Sequence, residues 1–113
     1  MPIENWSENV LLVELADDPQ FTDDMNAVLE AVEAREGLNV VLNFQNVTFV
    51  NSSNIAKLLK LRKLLTVNRQ GKLKICAVST HVWGVFLVTG LDKIFEVYDD
   101  VASGLASLHL DGK

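Results

Sequence analysis

Three short aliphatic runs limit the architectures open to this chain: Val10-Leu11-Leu12-Val13-Glu14-Leu15, Val40-Val41-Leu42-Asn43-Phe44 and Leu73-Lys74-Ile75-Cys76-Ala77-Val78. Each has the length of one strand, is bounded by polar residues and predicts a strand with much of its surface buried. Between them the apolar period changes. Phe21, Met25, Val28, Leu29 and Val32 form a helical stripe, with Thr22, Asp23 and Asp24 placed to cap its start and Gly37 to stop it. Residues 47–50 are predicted to continue extended after the second strand. From 53 to 67, Ile55, Leu58, Leu61 and Leu65 share one arc of a helical wheel, and residues 68–71 end that helix. Val82, Val85 and Phe86 line one side of a short helix that also carries Trp83 and Leu87 and stops at Gly90. Residues 94–98 predict a short extended piece, and Asp99 or Asp100 caps a last helix through about Leu108. Strands alternating with helices of this length predict an α/β layered domain. With no repeat, low-complexity tract or linker, the whole chain, 1–113, reads as one domain with its core over about 10–108.

Composition agrees with a self-sufficient core. A chain of 113 residues, 49% hydrophobic and 22% charged, needs no disulfide or metal to supplement burial. Cys76 is the only cysteine and falls in an apolar strand, where a thiol serves as a small core residue. The formal net charge of -5 excludes a phosphate-backbone binder, which needs clustered Lys and Arg, so nucleic acid is not an expected partner. The start, Met1-Pro2-Ile3-Glu4-Asn5, lacks the basic and apolar regions of a secretory leader, and no apolar run is long enough to insert directly into a membrane. A cytoplasmic location is expected.

The inventory for catalysis is thin. His81 and His109 are the only histidines, and neither has a Cys or His ligand partner nearby in sequence. The pairs Asp17-Asp18, Asp23-Asp24 and Asp99-Asp100 all fall where a helix begins, the place that capping and the helix dipole favour for carboxylates. The six glycines are scattered and form no phosphate-binding loop. No catalytic residue, metal ligand or cofactor is assigned, and an enzyme is not expected. The distinctive segment is Phe49-Val50-Asn51-Ser52-Ser53-Asn54-Ile55, where a strand passes directly to a helix through four small polar residues. Asn51 or Ser52 can cap that helix, and a phosphate on a hydroxyl there would meet free amides and the positive end of the dipole.

The run Thr48-Phe49-Val50-Asn51-Ser52-Ser53-Asn54-Ile55-Ala56-Lys57-Leu58-Leu59 resembles the signature of STAS-domain anti-sigma-factor antagonists, Phe-x-Asp-Ser-Ser/Thr-Gly at the opening of a helix. Val88-Thr89-Gly90-Leu91-Asp92-Lys93-Ile94-Phe95 resembles the same family's Thr-Gly-Leu-x-x-Ile/Leu-Phe segment. The resemblance implies a mixed four- to five-stranded sheet with helices packed mainly on one face. It also implies partner switching: binding of a serine-kinase anti-sigma factor, release when that kinase phosphorylates the antagonist, and reversal by a serine phosphatase. Ser52 matches the phosphoacceptor and Ser53 its neighbouring hydroxyl. Asn51 stands where the family has Asp, retaining a cap without the carboxylate, and Asn54 stands where it has Gly, adding a side chain expected to lie close to the hydroxyl. Asn51, Ser53, Asn54, Lys57, Lys60 and Leu64 are the expected partner-binding residues. Lys57, Lys60 and Lys63 recur every third residue and would surround the Ser52 end with positive charge; Leu64 falls between Lys57 and Lys60 on the wheel. The alternative reading is a STAS scaffold that is never phosphorylated, or an accessory subunit of a sensory complex or membrane transporter.

Overall fold

The computed structural model describes residues 3–68 and 70–111, with side chains described for all of these but Asn68, Leu110 and Asp111. The start of the leader reading at Met1 and Pro2, and Arg69 within the expected helix stop, lie outside the described residues. In chain order the elements are β1 (Ile3–Ser7), β2 (Val10–Ala16), α1 (Gln20–Ala34), β3 (Asn39–Asn46) and α2 (Ser52–Lys63). A π-helical turn (Leu64–Asn68) extends α2, and β4 (Leu73–Cys76), α3 (Thr80–Thr89), a 3-10 turn (Leu91–Lys93), β5 (Glu96–Tyr98) and α4 (Val101–Asp111) follow.

The sheet runs β1-β2-β3-β4-β5, with β1 antiparallel to β2 and every other pair parallel. Its register sets Leu42 of β3 between Val13 of β2 and Ile75 of β4, and Ile75 beside Val97 of β5. Alternation along the strands then sorts the core. Leu11, Val13, Leu15, Val40, Leu42, Phe44, Leu73 and Ile75 face α1, α2 and α3, while Val10, Val41 and Cys76 face α4 through Val101, Leu105 and Leu108. Three helices thus cover one face and the last covers part of the other, a five-stranded mixed α/β sheet of the kind expected.

The sequence missed β1. Its residues are exposed apart from the half-buried Ile3, so no hydrophobic alternation marks it. The Arg35 guanidinium at the end of α1 holds this hairpin by donating to Asn5 Oδ1 at 3.2 Å and to the Glu8 carbonyl at 2.7 Å. Residues 47–50 differ from expectation too: they form an irregular segment, and the Val47 N–H turns back to the Phe44 carbonyl at 2.9 Å.

Between β4 and β5, Lys74 is fully buried on β4 and pairs with the Glu96 carboxylate directly across the register on β5. Its ammonium also lies 5.6 Å from the centre of the Tyr98 ring. A buried cation survives only with such partners. On the same face of β4, Gly104 lets α4 approach so closely that a Cβ there would overlap Cys76 Sγ and come near the Lys74 stem.

Candidate functional site

β2, β3 and β4 are parallel, so the loops that follow them leave from the same edge of the sheet. Residues 17–19 and 47–51 meet there. Val47 and Val50 are buried and anchor the second loop, leaving Thr48 and Phe49 outside, with Phe49 49% exposed. Asp17 latches this loop to the first: its Oδ1 accepts from the Thr48 N–H at 2.8 Å, and its Oδ2 accepts from the Thr48 hydroxyl.

Asn51 is the N-cap of α2, extended at φ -106° and ψ 178°. Its Oδ1 accepts from the Asn54 N–H at 2.8 Å, and Asn54 Oδ1 accepts from the Asn51 N–H at 3.0 Å. This reciprocal pair satisfies two backbone donors that a helix start would otherwise leave open. Ser52 and Ser53 follow as the first two helical residues, both exposed, and among the described residues neither hydroxyl has a hydrogen-bond partner. The turn thus presents two primary alcohols on a rigid cap.

Asp18 completes the arrangement. Its Oδ1 accepts from the Thr22 N–H at 2.9 Å and the Thr22 hydroxyl at 2.7 Å, capping α1 from outside the helix. Its Oδ2 accepts from Asn54 Nδ2 at 2.9 Å and Asn51 Nδ2 at 3.3 Å. The Thr22 hydroxyl first, then Asn54, hold the Asp18 carboxyl below its ordinary 3.8. The Thr48 hydroxyl and N–H do the same for Asp17. Hydrogen bonds to the ionised form are the cause in both cases.

Several expected roles need correction. Asn54 does not project beside the hydroxyls. It is 2% exposed, its amide spent on Asn51 and Asp18, so it shapes the turn from beneath and offers no surface to a partner. The lysines do not ring Ser52, because α2 rises about 1.5 Å per residue and carries Lys60 and Lys63 roughly 12 and 16 Å along the axis. Those two, with Arg62, form a basic last turn, while Lys57 is half-buried and donates to Asn26 Oδ1 on α1 at 3.0 Å. Leu64 is half-buried against the core at the end of α2, where the π-helical turn begins, so it is not an outer-face contact. The exposed apolar groups in this region are Phe49 in the loop ahead of α2 and Leu59, about two turns along the helix. Thr22, Asp23 and Asp24 do not cap α1; Asp18 does, and Asp24 is buried beside Gln20.

Sequence reasoning therefore missed Asp18, Asp17 and Phe49. Phe49 read as strand because it is apolar and follows Val47. The Asp pair read as a helix cap, which describes half of Asp18's hydrogen bonds and none of Asp17's.

Elsewhere, Cys76 is buried with its thiol pushed up to about 11 by desolvation, the state of a core residue. His81 is exposed on α3 and His109 on α4. Among the described residues, no group of three or more His, Cys, Asp or Glu could hold a metal ion, and no helix is long and apolar enough to cross a membrane.

Comparison with known proteins places this geometry. The STAS domain family profile matches residues 19–104. The chain is 30% identical over 104 residues to an anti-sigma F factor antagonist of Paenibacillus polymyxa, covering 89% of this chain and 88% of the relative. An anti-sigma-factor antagonist (STAS) domain protein from Planctomyces limnophilus superposes with a TM-score of 0.80 at 21% identity, over 95% of this chain and 97% of that one. The Bacillus cell fate determinant SpoIIAA in its phosphorylated form superposes with a TM-score of 0.72 at 15% identity, over 94% of this chain and 96% of that one. At these identities the two structures establish the shared fold; the profile and the sequence relative establish kinship. The chain belongs to the STAS-domain family, among its anti-sigma-factor antagonists.

Proposed function

We propose that this protein is a phosphorylation-controlled binding module that relieves a sigma factor by occupying its serine-kinase anti-sigma factor. The observation that carries the reading is Ser52: an exposed hydroxyl on the first turn of α2 with no hydrogen-bond partner among the described residues, held out by a cap that makes no use of it. In the unmodified state the kinase docks on the loop ahead of α2 and on that first turn. Asn51, Ser53 and Lys57 border this surface, Phe49 and Leu59 supply its apolar contacts, and Lys60 lies farther along the helix. The kinase then transfers the γ-phosphoryl group of ATP to Ser52 Oγ, releasing ADP. The product adds about -1.5 to -2 charge to a neutral turn and ends the docking. A serine phosphatase hydrolyses the ester and restores the binding form. The protein itself performs no catalysis in this scheme and acts in the cytoplasm, where kinase and sigma factor operate.

Incubation with the cognate kinase and ATP, followed by mass-spectrometric mapping, tests the switch. Phosphate on Ser52 alone is expected; modification elsewhere, or none, removes the mechanism. Affinity capture from the native host tests the partner. Recovery of a serine kinase supports the reading, whereas recovery of STAS-like subunits or a membrane transporter would favour the accessory-scaffold role.

A further inference from the structure

The cap around Ser52 would close without Asp18. The two Asn51–Asn54 hydrogen bonds already satisfy the backbone donors, yet both cap side chains also donate to one Asp18 oxygen while the other oxygen is held by Thr22. A carboxylate only accepts, so an ionised Asp18 dictates that both asparagines turn Nδ2 outward to it and Oδ1 towards the backbone amides. One charge thereby fixes the orientation of both residues that bracket Ser52 and Ser53, and joins them to the first turn of α1. It also sets a full negative charge against the turn that is to receive a phosphate.

We infer that Asp18 is the positioning residue of the phosphoacceptor turn: it orients Ser52 through Asn51 and Asn54, and its charge opposes any anion on residue 52. A phosphate at Ser52 and the Asp18 clamp therefore weaken one another, and the modification is transmitted across the clamp to Thr22. The inference rests on the phosphoacceptor reading of Ser52 and extends it to the regulation of that site. Two features sharpen the expectation. The positive end of α2 favours the phosphate, so the clamp and not the ester gives way. Asp17, the neighbouring carboxylate, spends its hydrogen bonds on Thr48 and the Phe49 N–H and not on the asparagines, so it provides a control of equal charge.

The test is independent of any kinase. In a Ser52→Cys variant the new thiol stands where the hydroxyl was, and Cys76 is silent because it is buried with its thiol near 11. Adding Asp18→Asn keeps the side-chain shape and removes the charge. The rate of alkylation by iodoacetamide at pH 7 is expected to rise about threefold, the order of effect that removing a nearby unit charge has on a thiolate across water. Asp17→Asn in the same background is expected to raise it less. An unchanged rate with Asp18→Asn, or an equal rise with Asp17→Asn, overturns the inference. A second measurement needs no Asp variant to be well folded: phosphoserine incorporated at residue 52 during translation is expected to shift the Thr22 amide and the Asn51 and Asn54 side-chain resonances in a 15N spectrum. A stationary Thr22 amide overturns transmission. Failure of the cognate kinase to modify Ser52 would instead strike the proposed function, leaving these two measurements to decide the role of Asp18.

Discussion

Asn54 shows how one residue can be misread from its identity alone. A side chain in place of a hydrogen suggests an obstruction beside the hydroxyl, but this amide has two strong internal uses and turns inward to make them. Asn51 uses its oxygen on the backbone and its nitrogen on Asp18, which lets a neutral residue cap a helix as well as an acid would. Asn51→Ala is expected to lower stability by about 1 kcal/mol, as cap removals do, measurable by urea unfolding. The acids give a pH signature. Asp17 and Asp18 both have folded-state values below 3.8, so the stability they contribute is complete well above 3.8 and is lost as pH falls through their depressed values. Thermal midpoints of the wild-type protein should therefore fall more steeply below pH 4 than those of the Asp17→Asn/Asp18→Asn double variant, with the two curves running parallel between pH 6 and 7. Parallel curves throughout would contradict the hydrogen-bond assignment.

Among the elements, α4 is held differently from the other helices. It crosses the far face of the sheet on Val101, Leu105 and Leu108, and Gly104 allows its backbone to sit over Cys76. Gly104→Ala raises helix propensity by about 1 kcal/mol in an open setting, but here the methyl group meets sulfur in a packed layer, and overpacking costs about 1–3 kcal/mol. A net loss of stability is expected; a gain in urea midpoint would show that the α4 layer is loosely packed. The loop before α2 behaves in the opposite way. Phe49 is half exposed and lies outside the buried core, so Phe49→Ala should leave unfolding within about 0.5 kcal/mol of wild type while weakening capture of the anti-sigma factor. Calorimetric titration beside urea unfolding separates the two effects. β2, β3 and β4 and the buried stripes of α1 and α2 were legible in the sequence because burial on one or both faces leaves a strong period. β1 was not, being an edge strand whose stability comes from backbone pairing and Arg35. The turn residues 51–53 were legible as a helix start, since small polar residues at a strand-to-helix junction have few other uses. What the sequence could not convey was the approach of the 17–19 loop, because that contact depends on β2 and β3 being adjacent and parallel.

For the molecule as a whole, topology explains why the proposed phosphoacceptor turn sits where it does. Parallel strands bring the loops after β2 and β3 to one edge, so a residue 33 positions earlier in the chain can clamp the start of α2. The exposed hydroxyls lie outside that clamp, available to a partner, while the core beneath is made of aliphatic and aromatic groups that a change at the edge does not disturb. Under the proposed switch, added charge requires no refolding: the edge is altered and the core stays. The most direct measurement is the affinity of the anti-sigma kinase for this protein with and without phosphoserine at residue 52, by calorimetric titration at fixed salt. The account expects tight binding by the unmodified protein and a loss of at least about tenfold, or 1.4 kcal/mol, on phosphorylation. Equal affinity of the two forms would contradict it.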